Sequence, residues 1–134
     1  MLSQTVEDAL RATIYIARNA SNPARVNDVA EVIHASPTYL AKILSQLARA
    51  GILESTRGKG GGFRLGVAPK DVRMCDVVAV FEAPEQRRCL LGHGLCGEDP
   101  SCTVHTRWSP IAKSMDCFLA GTTLADLLSN RTHT

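Results

Sequence analysis

Four glycines in the six residues Arg57-Gly58-Lys59-Gly60-Gly61-Gly62 separate two short strand-forming runs, Ile52 to Thr56 and Phe63 to Leu65. No other feature restricts the fold as strongly, because a glycine-rich tip between two such runs is a hairpin whose backbone can approach another backbone closely. A helix with a well-marked start and stop leads directly into it. At Ser36-Pro37 the serine hydroxyl can accept from an orphan amide, and proline at the first helical position loses no hydrogen bond. The helix is expected to run to about Ala50, burying Leu40, Ile43, Leu44 and Leu47, with Gly51 closing it at positive φ. Thr38, Tyr39, Ala41, Lys42, Ser45 and Gln46 are left on or near its other faces.

Upstream, Val6, Leu10, Ile14 and Ala17 recur at helical spacing within Ser3 to Asn19, and Pro23 lies beyond the end of that stretch. A second, short helix is expected from about Asn27 to His34 with Val29, Ala30 and Ile33 inward, and Ala35-Ser36 makes the turn after it. Helix, helix, turn, helix and basic hairpin describe a winged helix-turn-helix, a mainly α fold with a small β-hairpin wing. The second helix of such a pair normally enters the major groove of DNA.

Charge agrees with that reading. The formal net charge is only +2, but Ser36 to Gly66 holds Lys42, Arg49, Arg57, Lys59 and Arg64 against the single acid Glu54. A basic segment of this kind suits a polyanion. The amino-terminal MLSQTVEDALR carries acids and no apolar core, and the longest clearly apolar run is Val77 to Phe81. These features argue against secretion and membrane insertion, so a cytoplasmic location is expected.

Beyond the hairpin, a helix is expected from about Met74 to Glu82, burying Val77, Val78, Val80 and Phe81 and ended by Pro84. A long helix from about Val104 to Ala120 carries Trp108, Ile111, Ala112, Met115, Phe118 and Leu119, with Pro110 kinking it or marking its true start. Thr123-Leu124-Ala125-Asp126 is a capped start of a last short helix through Leu128. The division is therefore 1–82 as the DNA-binding unit, 83–103 as a loop, and 104–134 as a dimerisation helix with its C-terminal helix.

The loop carries the second constellation. In RRCLLGHGLCGEDPSCTVH, Cys89, Cys96 and Cys102 stand among glycines and polar residues, with His105 three positions after the last thiol. Unpaired cysteines are often packing residues, yet these have no apolar face to join. Five cysteines in a chain without a secretory leader point to a reducing compartment, where clustered thiols bind metal or do redox chemistry. Zinc remains open, although structural zinc usually takes a pair about two to four residues apart. Cys75 and Cys117 fall on expected helices and read as buried residues. Glu7 shares a face with Leu10 and Ile14 and leans inward, whereas Asp8 lies nearer Arg11 and reads as a solvated ion pair.

SPTYLAKILSQLARAGILESTRGKGGGFRLG, then DVVAVFE, the cysteine loop and TLADLL follow one another in an order that resembles the Rrf-type winged-helix transcription regulators, a family including IscR-, NsrR- and CymR-like proteins. The resemblance covers nearly the whole chain and is closest in kind to the cluster-binding branch. It implies a homodimer on palindromic double-stranded DNA, with Ser36, Thr38, Tyr39 and Lys42 in the major groove and Arg57 and Lys59 in the minor groove. It also implies an iron–sulfur cluster, [2Fe–2S] ahead of [4Fe–4S], held by Cys89, Cys96 and Cys102 and a fourth ligand. His105 and Glu7 are both candidates for that place, and Glu7 could come from the partner subunit. Ala41-Lys42 departs from the Glu-Gln pair of the IscR branch, so no operator sequence is implied. The expected function is a transcription regulator, in the first instance a repressor, that senses redox state, nitric oxide or iron–sulfur supply. A cluster-free or zinc-binding DNA regulator and a small electron carrier are the alternatives. Against an enzyme stands the lack of a nucleotide loop, a nucleophile–base pair or a Cys-x-x-Cys motif.

Overall fold

The computed structural model describes residues 2–82 and 104–129. The expected loop of 83–103, with Cys89, Cys96 and Cys102, lies outside the described residues. The elements in chain order are α1 (Gln4–Arg18), α2 (Val26–Ile33), α3 (Pro37–Arg49), β1 (Leu53–Thr56), β2 (Gly62–Leu65), a 3-10 turn at Pro69–Asp71, α4 (Met74–Phe81), α5 (His105–Gly121) and α6 (Leu124–Ser129). This is the mainly helical, winged architecture that the sequence predicts.

The α3 helix forms where local chemistry directs it. Ser36 Oγ accepts from the Tyr39 N–H at 3.2 Å and Pro37 occupies the first turn. At the other end Gly51 takes φ 84°. There Ile52 N–H donates to the Leu47 carbonyl at 3.1 Å and Gly51 N–H to Ala48 at 3.0 Å, the pair of bonds that satisfies the last carbonyls of a helix ending in a left-handed residue. Ile52 and Leu53 are then drawn into the core at 7% and 2% exposure, so the helix stop also sets the start of the hairpin.

β1 and β2 pair antiparallel with Leu53 opposite Leu65 and Thr56 opposite Gly62. A third segment joins them, since Ala24 and Phe63 exchange backbone hydrogen bonds of 2.7 and 2.8 Å. The linker between α1 and α2 thereby ties the wing to the helical body. At Gly62 an added Cβ would collide with the Ala24 carbonyl oxygen. The close backbone approach that the sequence assigns to the hairpin tip is thus, at this position, an internal one.

α1 lies at the centre. Its buried residues Val6, Ala9, Leu10, Ala12, Ile16 and Ala17 belong to one core with Val29, Ile33, Leu40, Leu44, Val77 and Leu124. Thr13, buried in the same face, donates to the Ala9 carbonyl at 2.7 Å and so leaves no unpaired hydroxyl. The C-terminal helix belongs to this core as well. Leu124 N–H donates to the Val72 carbonyl and Met74 N–H to the Thr122 carbonyl, both at 2.9 Å. Thr123 and Asp126 cap α6 reciprocally, with the Thr123 N–H to Asp126 Oδ2 distance 2.9 Å and the Asp126 N–H to Thr123 Oγ1 distance 3.1 Å.

Two expectations need correction. The two acids of α1 are exchanged: Glu7 is exposed and Asp8 is buried. The sequence argument rests on the Leu10–Ile14 face, whereas α1 is covered on a wider arc that takes in Asp8. Cys117 is exposed and Cys75 only half-buried, so neither thiol is enclosed within the described residues. The long helix expected from about Val104 to Ala120 is present as α5, which begins at His105 and runs through Pro110, so of the two roles offered for the proline that of true start drops out.

Leu124 is 0% exposed and sits beside the backbone bonds that hold the C-terminal segment. Leu124→Ala is therefore expected to lower unfolding free energy by about 2–5 kcal/mol, measured by urea denaturation. A loss under about 1 kcal/mol would show that α6 is not part of the cooperative core.

Candidate nucleic-acid interface and metal site

Burying Leu40, Ile43, Leu44 and Leu47 turns the opposite face of α3 outward. Ser36, Thr38, Lys42, Ser45, Gln46 and Arg49 are exposed, and Lys42, Ser45, Gln46 and Arg49 line a shallow surface groove with Ala41. The face offers hydroxyl, amide and cationic donors in a row, a chemistry suited to base edges and phosphate oxygens. In the wing, Arg57, Lys59 and Arg64 are exposed. Glu54 faces Arg64 across the ladder and is the acid of the hairpin.

Tyr39 sits differently from the other expected contacts. It is half-buried, and its hydroxyl lies 3.1 Å from Asp8 Oδ2 and 3.4 Å from Thr5 Oγ1 on α1. Ser45 and Gln46, on the outer faces of the helix, and Arg49, from its basic segment, lie exposed beside Lys42 although the resemblance assigns them no contact. The signal for them was present, because positions three, four and seven residues after Lys42 share its helical face.

For the thiol site the described residues are those before and after 83–103 in the chain. Among them no group of three or more His, Cys, Asp or Glu side chains could hold a metal ion. The Ser3 N–H donates a long 3.4 Å hydrogen bond to Glu82 Oε1. Glu82, the last described residue before 83–103, thus lies beside the N-terminus of α1, one turn from the exposed Glu7, and the described chain resumes at Val104, just ahead of α5 with His105 as its first residue. The two candidate fourth ligands stand near the two ends of the cysteine-bearing segment.

The Rrf2 family model, described as an iron-dependent transcriptional regulator, matches residues 2–130. The chain belongs to the Rrf2 family. An HTH-type transcriptional regulator of Aquifex aeolicus is 33% identical to it over 132 residues, covering 96% of this chain and 92% of that protein. The HTH-type transcriptional regulator IscR of Aliivibrio salmonicida is 33% identical over 122 residues, 90% of this chain and 72% of that protein. Among solved structures, CymR, the global cysteine regulator of B. subtilis, matches with a TM-score of 0.77 and 26% identity over 96% of both chains. This Rrf2 protein is accordingly a DNA-binding transcription regulator and not an enzyme. Among its described residues no helix is long and apolar enough to cross a membrane.

If the outward face of α3 lies against phosphates, Lys42→Ala and Arg49→Ala should each reduce the slope of log affinity against log salt by about 1. Arg57→Ala should cost about 1–3 kcal/mol on a cognate duplex if the wing reads the minor groove. Titrations of labelled duplex across a salt series decide both. Unchanged slopes would move α3 off the phosphate backbone, and unchanged affinity in Arg57→Ala would free the wing of that role.

Proposed function

We propose that the chain is a homodimeric repressor that reads a palindromic operator through α3 and the wing and senses redox state, nitric oxide or iron–sulfur supply through an iron–sulfur cluster in the cytoplasm. The observation that carries the DNA half is the exposed Thr38–Lys42–Gln46–Arg49 face of α3, on a helix capped at both ends and buried along its opposite side. Two-fold pairing has support in α5, where Ile111 and Phe118 are 59% and 54% exposed. Apolar side chains of that size, two turns apart on one helical face, favour a partner surface over water.

The cluster half rests on the donor set. Cys89, Cys96 and Cys102 supply three soft thiolates of the kind that hold such clusters. Glu7 or His105 would complete the set, and the positions of Ser3, Glu82 and the start of α5 support either residue without choosing between them. When bound, the cluster would supply reversible electron transfer and reactivity toward small oxidants. The residues of the chain would set how readily it is lost, because a carboxylate or imidazole holds iron less tightly than a fourth thiolate. Of the two cluster types, [2Fe–2S] is the form proposed.

Anaerobic purification followed by absorption spectroscopy and iron and sulfide analysis tests this reading. Cys89→Ala, Cys96→Ala and Cys102→Ala should each abolish the visible absorption and leave the helical circular dichroism in place, since the winged part has a core of its own among the described residues. Three single variants with full iron and sulfide would refute the assignment. Glu7→Ala and His105→Ala should part company: loss of the true fourth ligand shifts the spectrum and shortens the cluster's lifetime. A wild-type spectrum and lifetime in both would exclude both residues.

A further inference from the structure

Asp8 is 5% exposed, and a carboxylate taken out of water is costly unless donors replace the solvent. Its Oδ1 accepts from Gln4 Nε2 at 3.0 Å and its Oδ2 accepts from the Tyr39 hydroxyl at 3.1 Å. The Arg11 guanidinium, 3.9 Å from Oδ1 and itself 52% exposed, adds charge compensation from the solvent side. The Tyr39 hydroxyl has one proton, and a charged acceptor at the shorter distance takes it in preference to Thr5 Oγ1 at 3.4 Å. Among the described residues, the contacts of Tyr39 with Asp8 and Thr5 are the side-chain hydrogen bonds that cross from α1 to α3.

Tyr39 is the third residue of α3, and its own N–H is held by the Ser36 cap. One residue therefore joins the N-terminal turn of α3 to its cap through the backbone and to α1 through the side chain. Ser36 and Thr38, on either side of Pro37, are exposed. In helix-turn-helix readers the N-terminal residues of the second helix are the ones that meet base edges. We propose that Asp8 is a positioning residue for operator recognition, acting through Tyr39 to latch the first turn of α3 to α1 and so fix how Ser36 and Thr38 approach the bases.

This inference rests on the reading of α3 as the helix that enters the groove. Phosphate contacts carry non-specific affinity, whereas base contacts carry discrimination. Releasing the latch leaves Lys42, Arg49 and Arg57 in place and loosens the end of the helix that reads sequence. Selectivity is therefore the quantity that falls, and a purely stabilising role for Asp8 would not move it in protein that remains folded.

The test uses a duplex that the wild-type protein enriches from a random pool, with a scrambled duplex of equal composition as the control, both at one salt concentration. Asp8→Ala and Tyr39→Phe, compared at a temperature where circular dichroism shows both folded, should each bind the enriched duplex about tenfold more weakly and the scrambled one within about twofold of wild type. The double variant should lose no more than about tenfold, because both changes break one interaction. Asp8→Asn, which keeps the size of the side chain and weakens it as an acceptor, takes the place of Asp8→Ala in the single and double variants if Asp8→Ala does not fold. Wild-type selectivity in the single variants overturns the latch. So does an additive loss of about a hundredfold in the double variant, which would place the Tyr39 hydroxyl on the DNA itself. A wild-type protein that enriches no sequence overturns the DNA-reading role of α3 and the latch with it.

Discussion

The burial of α1 is the constraint on which the rest depends. Its inner surface alternates small and medium residues, Val6, Ala9, Ala12, Ile16 and Ala17, all at 6% exposure or less. Small side chains let neighbouring elements approach closely, and α2, α4, α6 and β2 all pack against this one helix, with α3 meeting it at its N-terminal end. The core is therefore radial. A displacement of α1 is felt at once by the recognition helix, the wing and the C-terminal helix, because each shares side chains with the same cylinder and a close-packed interior transmits strain.

The first turn of α1 is where that architecture meets the proposed function. Ser3 caps the helix and also holds Glu82, the last described residue before the cysteine-bearing segment. Thr5 and Asp8, one turn further on, hold Tyr39 at the start of α3. The same two turns of backbone thus hold both Glu82, the last described residue before the proposed sensing segment, and Tyr39 of the proposed reading helix. A change in the segment that shifts Glu82 or recruits Glu7 would have a short mechanical path to the bases, with no need for movement of the whole domain.

Much of this was legible in the sequence where the determinants were local. The limits of α3 follow from Ser36, Pro37 and Gly51, the hairpin from its four glycines, and α6 from Thr123 and Asp126; each is settled by residues within a few positions of one another. What was not legible depends on distant partners. Buried Asp8 accepts from Gln4 within its own helix and from Tyr39, 31 residues away in sequence, and a helical wheel for α1 alone contains no trace of the second donor. The return of α6 depends on the backbone bonds from Leu124 to Val72 and from Met74 to Thr122, which leave no periodic signature. Cys117 is exposed because the side of α5 that carries it has no cover within the described chain. The cysteine triad was the clearest chemical signal in the sequence, and it is identified by composition and spacing rather than by any contact among the described residues.

The central claim is that the state of the Cys89–Cys102 segment governs how tightly the protein holds operator DNA. Operator affinity measured at one salt concentration for protein with its cluster intact and for the same protein after the cluster is removed tests it most directly. Useful regulation corresponds to a coupling of about 1–3 kcal/mol, so the two affinities should differ by at least about fivefold. Agreement within about twofold, or roughly 0.4 kcal/mol, would contradict the claim and leave the segment without a regulatory role in DNA binding.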